Sequence, residues 1–209
     1  MRIHGREFGM IRSSFLITFA VLWFALHVPA AWSHPHVFIH TALDAVFDDQ
    51  GLEGFRVHWV FDEMFSSMIL MDFDKNGNRK FEPDEVAAVE EGAFSNLKSF
   101  DYFVHIHISG KPFRVQFVKD FSTKIHENKM TYTFFVPCHV RGTSAQKDIR
   151  ISVYDPEFYT SIFLIRDPLV LENAEPFDVS SRVKENPEEA YYFGQIIPQE
   201  IHMRFKRKP

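Results

Sequence analysis

Apolar and polar residues alternate from His36 to Phe47, with Val37, Ile39, Leu43, Ala45 and Phe47 on one face. That period of two predicts a half-buried strand. DDQG at 48–51 is a turn, and Phe55, Val57, Trp59 and Phe61 alternate after it, so the two segments predict a hairpin. The alternation stops at Asp62. FDEMFSSMILMDF and PDEVAAVEEGAFSNLKSF then read as two short amphipathic helices around a polar loop. Alternation resumes at Tyr102 and runs through VHIHIS, PFRVQFV, KMTYTFFVP, DIRISVY and SIFLIRD, separated by turn material at SGK, HENK and RGTSAQK. About seven short strands at this spacing predict a mainly β, α+β fold, an antiparallel β-sandwich-like domain with an inserted helix-loop-helix. The domain spans 34–171, the insertion lies at about 62–100, and the polar segment 172–209, with Pro176, Pro187 and Pro198, reads as a loosely structured extension.

The residues before the first strand set the compartment. Arg2, Arg6 and Arg12 stand against one Glu7, and an apolar run extends from Ser14 to Ala31. A charged start, an apolar middle and small residues at the end predict a secretory signal over residues 1–33 and a periplasmic mature protein. Ala31 and Ser33 supply the small residues for cleavage after Ser33, which makes His34 the new N-terminus. A cut after Ala30 leaves three further residues. An uncleaved anchor is the remaining alternative, since the run is about the minimum length that spans a bilayer, although His27 interrupts it.

Removing residues 1–33 leaves 176 residues and, with the loss of three Arg and one Glu, takes the formal charge from −5 to −7. One domain of that size can bury a full core. An acidic chain argues against a nucleic-acid partner, because a phosphate backbone needs a basic face; the basic ending RFKRKP reads as a solvated tail. Cys138 is the only cysteine, so no intrachain disulfide can form, and stability must come from a core rich in the 24 phenylalanines.

The polar loop between the helices carries the best-defined motif, DKNGNRKFEPDE from Asp74 to Glu85. A calcium loop of the EF-hand type places oxygens at positions 1, 3, 5, 7, 9 and 12. Here those are Asp74, Asn76, Asn78, Lys80 through its carbonyl, Glu82 and Glu85. Position 6, usually glycine for the sharp turn, is Arg79. Its strain, its charge and two Asn in place of Asp predict weak calcium binding or a helix-loop-helix kept for its shape.

The chain resembles the DUF1007 family of exported bacterial proteins of uncharacterised function, sometimes described as periplasmic components of an uncharacterised transport system. The residues that carry the resemblance are HPHVFI (34–39), HWVFDEMFSSMIL (58–70), the calcium-type loop (74–85), SFDYF (99–103) and VYDPEFY (153–159). The resemblance implies a periplasmic protein, often encoded near nickel, cobalt or other divalent-metal transporters, and implies no established enzymatic activity. Members often have glycine at the sixth loop position, from which Arg79 departs.

Nine of the eleven histidines lie beyond the signal. His34, His36 and His40 share strand parity on the side away from the core, and keeping both apolar faces together brings His58 directly or diagonally opposite His40. His105 and His107 form a second alternating pair. Neutral imidazole suits zinc, copper, nickel and cobalt, so His34, His36, His40 and His58 are candidate transition-metal ligands. With cleavage after Ser33, the α-amine and imidazole of His34 and the imidazole of His36 make a three-nitrogen set resembling a histidine brace. The amino-terminal square-planar site is excluded, because it needs an N–H at residue two and Pro35 has none.

Enzymatic motifs are missing: no G-x-S-x-G, H-E-x-x-H, phosphate loop or metal-type cysteine pair occurs. Cys138 and His139 point to opposite strand faces, and Asp155 beside Pro156 reads as a turn residue. The expectation is a periplasmic divalent-metal-binding accessory or substrate-binding protein that is not an enzyme, with a membrane metal transporter as partner. The second reading is a calcium-stabilised interaction module with incidental histidines; the third is a copper-dependent redox enzyme built on the terminal brace.

Overall fold

The computed structural model describes residues 35–209. The proposed signal, its cleavage site and His34 lie outside the described residues. Among the described residues, ten strands form two five-stranded sheets, and a helix-loop-helix lies between the second and third strands. The mainly β, sandwich-like expectation holds.

The first sheet contains β1 (Val37–Phe47), β2 (Gly51–Phe61), β5 (Lys119–His126), β6 (Lys129–Arg141) and β8 (Thr160–Glu172), in the order β5-β6-β2-β1-β8. The hairpin of β1 and β2 pairs Leu43 with Val57 and Thr41 with Trp59, and β6 continues the rows with Phe134 opposite Val57 and Tyr132 opposite Trp59. One face of each strand is thereby buried. Pairing is antiparallel except for β1 with β8, which run parallel. Gly54 is required where β2 meets β6, since a Cβ there would lie 2.3 Å from the Val136 carbonyl oxygen.

The second sheet has the order β4-β3-β7-β10-β9, from β3 (Val104–Ile108), β4 (Lys111–Phe113), β7 (Lys147–Val153), β9 (Phe177–Glu185) and β10 (Gln199–Arg207). Residues 172–209 are therefore not a loose extension. Ile201, Met203 and Phe205 alternate on β10, all at most 1% exposed, and β10 sits between β7 and β9. The 171/172 boundary falls inside β8. Phe205 and Phe177 each pack 5.2 Å from the Phe47 ring, which joins the two sheets in one core. The expected PFRVQFV strand pairs only at Pro112 and Phe113, because residues 114–118 leave the ladder.

Helix α1 (Glu63–Phe73) starts where Asp62 caps it: Asp62 Oδ1 accepts from the Phe65 N–H at 2.9 Å. Its Ser66 hydroxyl accepts from the Met130 N–H at 2.8 Å, tying the helix to β6. Helix α2 (Pro83–Gly92) begins with proline and a capping box formed by Glu82 and Glu85. A 3-10 segment, Phe94–Phe103, then leads into β3, and its last residues Asp101, Tyr102 and Phe103 are left-handed at φ 50°, 55° and 58°. No helix among the described residues is long and apolar enough to cross a membrane.

Candidate metal centre

The histidines expected to converge each have another neighbour. His36 is exposed, its ring 4.9 Å from that of Tyr159. His40 lies 5.9 Å from the Phe163 ring on β8. The hairpin places His58 opposite Ala42 and so diagonal to His40, as the pattern predicts. Its imidazole, however, turns to Asp44: Nε2 lies 2.6 Å from Asp44 Oδ2, and Nδ1 lies 3.3 Å from Thr133 Oγ1. A carboxylate on the same face outcompetes a second imidazole for the ring nitrogen, because it is the stronger acceptor. Arg56 reinforces that row, reaching Glu172 Oε1 at 2.6 Å and Asp44 Oδ2 at 3.5 Å. Among the described residues, His36, His40 and His58 do not form a three-ligand group.

The loop from Asp74 to Glu85 folds inward on its own oxygens. Arg79 N–H donates to Asp74 Oδ2 at 2.8 Å, Asn78 N–H to Asn76 Oδ1 at 2.9 Å, and Lys80 N–H to Asn78 Oδ1 at 2.8 Å. Glu85, 2% exposed, accepts from the Lys75 and Glu82 N–H groups at 2.9 and 3.1 Å. Asn76 and Asn78 donate to Glu82 at 3.0 and 2.7 Å. Contact with Glu85, then with Asn78 and Asn76, holds the Glu82 carboxyl down at about 2. Arg79 takes the left-handed turn at φ 61° despite its Cβ, and its guanidinium swings out to Asn128 Oδ1 at 2.9 Å. Asp74 Oδ1 is buried without a hydrogen-bond partner.

A different group lies on the outer face of the second sheet. Ile106, Ile151 and Ile201 form a row facing the core, so the adjacent rows face outward. One is His105–Ser152–Glu200 and the other His107–Arg150–His202, each taken from β3, β7 and β10 in turn. The segment 186–198 joins this group through a 3-10 turn at Pro187–Glu189. His107, Glu189 and Glu200 each offer a ligand atom, and these atoms lie within 4.8 Å of one another. His107 Nδ1 is 3.4 Å from Glu189 Oε1.

Glu200 is 1% exposed, so its charge needs partners. Asn186 Nδ2 donates to its Oε2 at 2.9 Å, His202 Nε2 contacts its Oε1, and Arg150 stands 4.0 Å away. Glu189 Oε2 is buried with no hydrogen-bond partner. His105 stacks on Tyr154 at 3.9 Å and meets its carbonyl at 3.1 Å, and burial lowers its pKa. Burial and the Glu189 charge push Tyr154 up to about 12. Two carboxylates with one or two imidazoles make a mixed nitrogen and oxygen donor set, the kind that suits zinc, nickel or cobalt.

Of this group, sequence reasoning noted the His105/His107 pair and missed Glu189, Glu200 and His202. A usable signal was present in the alternation of Ile201, Met203 and Phe205, which places Glu200 and His202 together on the opposite face. Asp155 plays the expected turn role, accepting from the Glu157 and Thr160 N–H groups at 2.9 Å each. Cys138 is a free, buried thiol, raised to about 12 by burial and outside the group.

Residues 19–193 match the sequence model of the family described as "Protein of unknown function (DUF1007)". The chain is 33% identical to the "Uncharacterized 15.5 kDa protein in trpE 3'region" of Spirochaeta aurantia over 131 residues, which cover 62% of this chain and 93% of that one. It is 23% identical to an "Uncharacterized protein" of Haemophilus influenzae over 133 residues, 62% of each chain.

Proposed function

This chain belongs to the DUF1007 family of proteins of unknown function, and from its own residues we propose that it is a periplasmic accessory protein that binds a divalent transition metal for a membrane transporter or homeostasis system. The observation that carries this reading is the set of ligand atoms on His107, Glu189 and Glu200 within 4.8 Å of one another. His107 supplies an imidazole nitrogen, and Glu189 and Glu200 supply carboxylate oxygens. Asn186 orients Glu200 as an outer partner. His202, already against Glu200, is the adjacent fourth donor. Two facts support a ligand role over a plain ion-pair role: two carboxylates are drawn together beside an imidazole, and Glu189 Oε2 is buried without a hydrogen-bond partner. Export rests on the charged and apolar pattern of residues 1–33.

Isothermal titration with zinc(II) and with nickel(II) tests the binding claim. The expected result is one site per chain for at least one of the two metals, weakened about 100-fold or more by His107→Ala and by Glu200→Gln, since even outer-shell changes cost about 10–100-fold. Replacing His36, His40 and His58 together by alanine should leave that site unchanged. Binding that survives Glu200→Gln and disappears with the triple replacement would overturn the assignment.

A calcium-stabilised module is the second reading, favoured by the inward-turned loop oxygens and the unpartnered Asp74 Oδ1. Under it, millimolar calcium raises the melting temperature and Glu85→Gln abolishes the rise, whereas transition metals and the His107 and Glu200 replacements have no effect on binding or stability.

A further inference from the structure

One end of the sandwich is hollow. A cavity of about 260 Å³ lies among β1, β2, β6, the start of α1, the 3-10 segment and the 155–160 turn. Trp59, Phe61, Phe65, Phe103 and Tyr132 form its inner wall, and the half-exposed rings of Phe100 and Tyr159 stand at its edge. We infer that this cavity is a binding site for a small organic cation, an amine carried on one aromatic ring or a comparable apolar body.

Two unfavourable features meet here. The volume is unfilled and partly open to solvent, and its walls are mainly apolar. The wall residue Phe103 is presented by three successive left-handed residues, none of them glycine, and Phe103 is held face to face with Trp59 at 6.2 Å. A wall shaped for stability alone would close the volume and relax the turn; strain kept at one place is the pattern of a ligand clamp.

Size and charge select the occupant. A dry cavity of roughly 150 Å³ holds one benzene ring, so 260 Å³ takes a ring with a short side chain. The only charged residues in the lining are Asp155 and Glu157, both acidic. Asp155 is 3% exposed and fixed by two backbone N–H donors, so its carboxylate cannot turn away. Asp155 in the wall and the exposed Glu157 repel an anion, and aromatic faces favour a cation over them. This site is separate from the metal group, with which it shares no residue.

The test uses 2-phenylethylamine and phenylacetate, which have nearly the same shape and opposite charge, with the full chain by isothermal titration. The expected result is saturable binding of the amine, with phenylacetate at least tenfold weaker. Ala93→Phe should fill the cavity and weaken amine binding at least tenfold, with the β-sheet signal in circular dichroism retained. Leu97→Phe serves the same purpose if that variant fails to fold. No binding of the amine, equal binding of both compounds, or amine binding that both filling variants leave intact would overturn the inference.

Discussion

Phe205→Ala should destabilise the protein as strongly as a substitution in the centre of the sandwich. Phe205 is fully buried and lies edge-on to Phe47 of the opposite sheet at 5.2 Å and to Phe177 of β9 at 5.9 Å. Its ring therefore contacts both sheets at once. Truncating a buried phenylalanine removes its transfer free energy and leaves a cavity that rigid neighbours fill only in part, about 3–5 kcal/mol in total. The β10 backbone pairs on both sides, with β7 and β9, so local collapse is restricted and the upper half of that range applies. For a domain of this size each kcal/mol lowers the melting temperature by roughly 2–4 °C, so the fall should be roughly 8–20 °C. The assay is thermal and urea unfolding followed by far-ultraviolet circular dichroism. Val183→Ala on β9, where the side chain is 42% exposed, is the control and should change stability by less than about 1 kcal/mol. A Phe205→Ala loss no larger than the control would refute the placement of the C-terminal strands in the core.

Burial lowers the His105 pKa below 6.5, so the folded state prefers the neutral ring. Its contribution is complete above about pH 6.5 and is lost as the pH falls below that value, because the unfolded chain then binds the proton first. His105→Gln should flatten the decline in urea midpoint as the pH falls below about 6.5; an unchanged slope would contradict it. The Cys138 thiol, raised to about 12, should carry a thiolate fraction of roughly one in ten thousand at pH 8. It should resist Ellman's reagent in the native protein and react once urea unfolds the chain, and labelling within seconds in native buffer would show that it is not buried.

The hairpin was readable because β1 up to Ala45 and β2 from Phe55 bury mainly one face, so period two fixes both the strands and an even register. The helix-loop-helix was readable from the break in alternation at Asp62 and from the spacing of the loop oxygens before Pro83, where the second helix starts. By contrast, β9 buries little beyond Phe177 and carries no alternation strong enough to mark a strand. The β10 pattern is regular, but its outward residues include buried Glu200 and half-buried His202, and polarity there reads as solvent exposure. The His107, Glu189 and Glu200 group was hidden for the same reason. His107, Glu189 and Glu200 come from β3, a turn and β10, and they meet only through the order β3-β7-β10, which local periodicity does not encode. Among the described residues, His58 turns from His40 because Asp44, two positions along the same face from Ala42, takes its ring nitrogen, while His36 and His40 lie against Tyr159 and Phe163.

Anomalous diffraction at the zinc edge, from crystals grown with zinc(II), tests the central claim most directly. The account predicts a peak about 2.0–2.2 Å from a His107 ring nitrogen and from carboxylate oxygens of Glu189 and Glu200. A dominant peak at His36, His40 or His58, with none between β3, the 187–189 turn and β10, would contradict it.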